Sequence, residues 1–119
     1  MKMLIEISVG DFFDRMSILS IKHDNGLPVE NEFKIYAEKA QEFEQFAFTR
    51  YFSIIKSVNK QLWELEDKKR KGVERYSEEE SDVAFMITEL NDLRHKVKQA
   101  IDKYFKSEFT EEKSHDERH

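Results

Sequence analysis

The sequence predicts an all-α fold: an antiparallel helical bundle that ends in a long helical hairpin. Three observations carry that prediction. Apolar residues recur at three- and four-residue steps over most of the chain, the spacing that gathers them on one helix face. Only three Gly and one Pro stand among 119 residues, too few turn-formers for a sandwich or barrel of many short strands. Helix start and stop signals also punctuate the chain where those stripes begin and end. Residues 1–119, at 14.3 kDa, read as one domain with a polar C-terminal segment over 106–119. Ten Phe, four Tyr and one Trp supply a modest core despite 38% charged residues and a mean hydropathy of -0.77.

Taken in order, Met3–Ile7 reads as a short extended lead-in, too short to form a sheet alone. Ser8 with Asp11 three positions on is a helix start. The first helix then runs from about Val9 to His23, with Phe12, Met16 and Leu19 as one stripe. Phe13, Ile18 and Ile21 widen that stripe, which marks this helix as central. Asp24-Asn25-Gly26 stops it, and Pro28 suits the first turn of the next. The second helix is expected from Pro28 into the Phe46–Thr49 region, on the stripe Val29, Phe33, Tyr36, Ala40, Phe43, Ala47. From Tyr51 the stripe shifts to Phe52, Ile55, Leu62 and Leu65, a new helix or a change of buried face. Lys68-Lys69-Arg70-Lys71 before Gly72 offsets the negative end of that helix's dipole. Ser77-Glu78-Glu79-Glu80 is a capping box for the last helix, whose expected seam is Val83, Met86, Leu90, Leu93, Val97, Ala100 and Tyr104.

Composition excludes several function classes. A formal net charge of -5 argues against a nucleic-acid binder, and no apolar run is long enough to span a membrane. The absence of Cys removes disulfides and thiolate metal sites. Glu6 interrupts the apolar run after Lys2 before a signal-peptide core forms, so a cytoplasmic protein is expected. No glycine-rich phosphate loop, Cys nucleophile or Ser-His-Asp set is present. His115 and His119 have zinc-binding spacing without a third ligand, and Trp63 with the Phe stripes reads as core.

Function is expected where polar groups interrupt apolar stripes. Ile55, Asn59, Leu62, Glu66 and Arg70 share one face of the third helix; Ile87, Asn91, Arg94, Lys98 and Ile101 share one of the last. Pairing about Gly72–Ser77 sets Asn59 level with Leu90 and Asn91, where the two Asn side chains can hydrogen-bond and fix register. A second reading uses the carboxylates Glu64, Glu66, Asp67, Glu89 and Asp92 to hold Mg²⁺ or Mn²⁺. That arrangement superficially resembles the all-α MazG-type nucleotide pyrophosphohydrolases. The hairpin register, however, offsets Asp67 from Asp92 by about ten residues, roughly 15 Å, too far to share one ion. The usual Glu-x-x-Glu half of that motif is also absent. A third reading is a structural homodimer formed through the aromatic second helix, over the stripe Phe33–Phe43.

The sequence also resembles a family of small domains of unknown function from bacteria and their phages. The resemblance rests on Ser8-Val9-Gly10, Asp14-Arg15-Met16-Ser17-Ile18-Leu19-Ser20-Ile21-Lys22, Asn59 with Leu62-Trp63-Glu64-Leu65-Glu66-Asp67, Asn91-Asp92-Leu93-Arg94 with Lys98 and Ile101, and Glu111-Glu112-Lys113-Ser114. Arg15 stands where the family pattern has Lys, and Asp102 where it has Asn. The resemblance implies that Asp14, Lys22, Glu66, Asp67, Asn91, Asp92, Arg94 and Lys98 form one cluster, and that Glu111–Ser114 packs back on the bundle. Relatives stand alone or beside surface-polysaccharide and lipopolysaccharide enzymes, which implies an accessory role in surface-carbohydrate metabolism; a protein partner or a small polar ligand is expected. Asn59 joins that candidate ligand site from its place between the helices, and no cofactor is expected there.

Overall fold

A computed structural model gives the architecture and describes residues 1–107. Four helices follow in order: α1 (Val9–Asp24), α2 (Glu30–Ala40), α3 (Gln45–Gly72) and α4 (Glu78–Tyr104). The fold is all-α, a helical bundle, with α3 and α4 forming the long hairpin. At 28 and 27 residues these two are each about 40 Å long. α1 packs against all three other helices and is the central element, as its wide stripe predicts.

The α1 start shows how the sequence sets its position. Four backbone N–H groups at a helix start have no partner within the helix. Here Val9 donates to Ser107 Oγ (3.1 Å), Gly10 to Asp102 Oδ1 (2.6 Å) and Asp11 to Ser8 Oγ (3.0 Å), while the Phe12 N–H makes the helix's own first bond, to the Ser8 carbonyl (3.0 Å). Two of these three side-chain acceptors, Asp102 and Ser107, come from the last turn of α4 and the residues just after it, so capping also docks the first helix on the last. Gly10 is what allows that approach. A Cβ there would collide with the Lys98 carbonyl oxygen and lie 3.0 Å from Asp102 Oδ1. Ser77 caps α4 through the Glu80 N–H (3.0 Å), while its own N–H bonds the Glu74 carbonyl (3.2 Å).

Aromatic side chains fill the end of the bundle around α2. Phe13, fully buried, packs against Phe43, Phe48 and Phe105 with ring centroids 4.8–5.3 Å apart. Ile55 and Ile101 are equally inaccessible and join the same cluster.

The structure corrects three sequence expectations. The second helix ends at Ala40 instead of reaching the Phe46–Thr49 region, and begins at Glu30, just after Pro28. Gln45 Nε2 donates to the Ala40 and Phe43 carbonyls, and Glu44 accepts from the Ala47 N–H, so local side chains stabilise a break. The stripe survives the break because Phe43 still packs inward from the turn, which is why periodicity missed it. The aromatic face of α2 also points inward: Tyr36 stacks on Phe12 at 5.1 Å and Phe33 on His23 at 5.7 Å. Phe33, Tyr36 and Phe43 are thus half-buried within the chain and do not form a fully exposed stripe. The lead-in before Ser8 pairs in no sheet, as its length predicts, and Met3, Leu4 and Ile5 are exposed. Finally, α4 buries only part of its expected seam: Val83 is buried and Leu90 and Val97 are half-buried, but the rest faces outward. Met86, Leu93 and Tyr104 are 46%, 44% and 54% exposed, while Lys98 and Asp102 are buried. The helix turns its polar face to α1 because Asp14 and the α1 N-terminus provide partners for it.

Candidate functional site

The centre of the bundle is built on Asp14, 2% exposed in the middle of α1. Arg94 of α4 grips it with two bonds, Nε to Oδ1 at 2.9 Å and Nη2 to Oδ2 at 2.5 Å. Asn59 of α3 donates to Asp14 Oδ1 at 2.8 Å and to Ser17 Oγ at 2.7 Å, and Ser17 donates to the Asp14 carbonyl at 2.7 Å. The Lys98 ammonium, buried beside them, lies 3.7 Å from Asp14 Oδ2 and 3.5 Å from Asp11 Oδ1. Asp11 in turn pairs with Arg15 at 2.8 Å. One carboxylate thus ties three helices together through charge-assisted bonds in a low-dielectric setting.

Burial by itself would push the Asp14 carboxyl up. The hydrogen bonds from Arg94 and Asn59, with the charges of Arg94 and Lys98, outweigh burial and hold it below the ordinary aspartate value. A carboxylate so engaged is a poor general base at neutral pH, because base strength falls with pKa and its lone pairs are occupied. Asp14 positions Arg94 and Asn59; it is not suited to abstract a proton.

Above this network lies a groove of about 300 Å³. Its apolar lining is Ile18 and Ile21 of α1 with Leu62 and Trp63 of α3. Asn59, Glu66 and Arg70 of α3 and Asn91 and Arg94 of α4 supply the polar groups. Trp63, expected in the core, is half-buried and forms part of this lining. A larger hollow of about 550 Å³ over the α1–α2 turn is lined only by residues within 23–32. It gathers no side chains from distant parts of the chain, whereas the groove draws on three helices.

The structure brings together Asp14, Asn59, Arg94 and Lys98, and adds Glu66 and Asn91 at the groove. Asn59 does not bridge to Asn91: its amide NH₂ donates to α1 instead, to the Asp14 carboxylate, a stronger acceptor than an amide carbonyl, and to the adjacent Ser17 hydroxyl. Lys22 lies apart from the cluster, in a second hollow with Arg15, Ile18, Leu19, Glu32 and Tyr36. Asp67 points away as well; Lys71 at 3.0 Å and Arg70 at 3.4 Å hold it and lower its carboxyl pKa. Asp92 is half-buried but does not line the groove, and Glu64 and Glu89 are exposed. Among the described residues no three His, Asp or Glu side chains converge to hold a metal ion, so Glu64, Glu66, Asp67, Glu89 and Asp92 do not form one Mg²⁺ or Mn²⁺ site. Glu111–Ser114, His115 and His119 lie outside the described residues.

Sequence reading missed Asp11, Ser17 and Asp102. Ser17 carries a signal in hindsight, since Asp14, Ser17 and Ile21 step by three and four and set polar groups on the buried face of α1. No described helix is long and apolar enough to cross a membrane. Comparison with protein families, curated proteins and solved structures finds no match for this chain.

Proposed function

We propose that this chain is a small binding module that takes a polar, ring-bearing ligand of the sugar or sugar-phosphate class in the groove between α1, α3 and α4. The observation that carries the reading is the groove's construction: an apolar wall with Trp63 faces convergent polar groups, and Asp14 fixes Asn59 and Arg94 in advance. Its volume falls at the lower end of the range for small-molecule sites. A fixed polar floor reduces the ordering cost of binding. Arg70 and Arg94 suit an anionic group, Glu66 and Asn91 suit hydroxyls, and an indole face suits the apolar side of a sugar ring. A sugar-bearing ligand also accords with the accessory role in surface-polysaccharide metabolism that the sequence resemblance implies.

The chain's one Trp makes the test direct, because Trp63 emission reports on the groove itself. Sugar phosphates, nucleotide sugars and nucleotides are titrated with and without Mg²⁺ or Mn²⁺, following fluorescence and thermal unfolding. A ligand at about 100 times its Kd adds roughly 2.7 kcal/mol of stability. A metal-independent response that Asn91→Ala weakens is the expected result. A metal-dependent response abolished by Asp67→Asn or Asp92→Asn would instead favour a nucleotide hydrolase. No response to any of these classes would leave the groove without its proposed ligand and turn the search to a protein partner.

A further inference from the structure

One edge of the α4 seam faces outward, while Val83 is buried and Leu90 and Val97 are half-buried. Met86 and Leu93 (46% and 44% exposed), Ala100 and Tyr104 run along the edge of the helix. Phe85, 65% exposed, stands at the N-terminal end of this face. Beside the seam, at seven-residue steps, lie Asp82, Glu89, Lys96 and Lys103, all exposed. The first two are acidic and the last two basic. None of the four is in an ion pair with a described residue, although α4 residues closer to α1 are.

We propose that α4 carries a self-complementary face through which two copies of the chain pair antiparallel about a two-fold axis near Leu93. Turning one helix over against its copy sets Asp82 opposite Lys103 and Glu89 opposite Lys96. Both pairs have their midpoint between residues 92 and 93, so a single register satisfies them together. That register also brings Leu93 against Leu93 of the other copy and Met86 toward Ala100, a large side chain meeting a small one. The seven-residue repeat keeps seam and charges aligned along the contact, as flanking charges do in coiled coils. The stretch from Asp82 to Lys103 is about 32 Å long, enough for three heptads. A parallel, in-register pairing would place each charge beside its own kind, so the pattern selects the antiparallel arrangement. The contact uses the same patch on both copies and therefore closes at two chains.

This surface is separate from the groove, whose lining from α4 is Asn91 and Arg94. Sedimentation equilibrium of the full chain over a wide concentration range tests it. The expected species has twice the 14.3 kDa chain mass. Glu89→Lys and Lys96→Glu each invert two symmetry-related pairs and should weaken the dimer by about tenfold or more. An equal mixture of the two variants should regain the dimer, because each supplies the charge the other now lacks. Leu93→Asp should leave only monomer, with helical circular dichroism unchanged since the site is exposed. A wild-type chain that stays monomeric throughout overturns the proposal. So does a dimer indifferent to both charge reversals, which would have to use another face.

Discussion

Replacing Asp14 with Asn keeps the shape of the side chain at the bundle centre and removes its charge. The native carboxylate accepts two bonds from Arg94 and one from Asn59, with Lys98 3.7 Å away. In the variant, the new amide NH₂ faces guanidinium or ammonium donors and cannot accept from them. Breaking a buried ion pair by removing one partner costs about 3–5 kcal/mol. The lower end applies, because the Arg94 side chain is 31% exposed and can rehydrate, and Lys98 keeps Asp11. We expect a loss of about 3 kcal/mol, a large share of the roughly 6–18 kcal/mol typical for this length. Urea unfolding followed by circular dichroism measures it, with the slope on urea unchanged. The pH dependence supplies an independent check. The folded-state pKa of Asp14 is depressed, so its stabilisation is complete above the unfolded value of about 3.9 and disappears as pH falls through the folded value. The gap between wild type and variant should therefore be constant near neutral pH and narrow below about pH 4. A loss under about 1 kcal/mol at neutral pH, or a gap that ignores acid, would refute the account of the centre as a charge-locked network.

Three further outcomes follow from the same contacts. Gly10→Ala should destabilise by about 2–3 kcal/mol in urea unfolding, since the new methyl meets the Lys98 backbone carbonyl, which cannot move aside without displacing α4. Asn59→Asp places a second carboxylate beside Asp14, raises the pKa of the pair, and should give a protein less stable at neutral pH than near pH 4, opposite in trend to the wild type. Ser77→Ala removes the acceptor for the Glu80 N–H and should cost about 1 kcal/mol, with hydrogen exchange accelerated in the first turn of α4 and little changed at α1.

The helices were legible because their signals are local. Ser8 and Ser77 start α1 and α4 as their positions predict, and the cationic turn before Gly72, whose φ of 104° suits only Gly, ends α3. The break between α2 and α3 was not legible: Gln45 and Glu44 make it with side-chain caps while Phe43 keeps the apolar period intact across it. Part of the polar site was visible too, since Asn59, Arg94 and Lys98 interrupt helical faces in a way solvated charges seldom do.

What the chain's residues determined alone was therefore secondary structure, all-α class and the presence of polar groups on faces that a bundle must bury. Which face of α4 turns inward was decided only in three dimensions. Spacing ranks faces by hydrophobicity, and on that ranking Met86, Leu93 and Ala100 belong inside. The energy that outranks it comes from Asp14, eighty residues from Arg94 in the chain, and from α1 N–H groups that need Asp102 and Ser107 as acceptors. A buried carboxylate left unpaired costs more than a few half-exposed apolar side chains, so α4 rotates to pair it and leaves Met86, Leu93, Ala100 and Tyr104 at the surface.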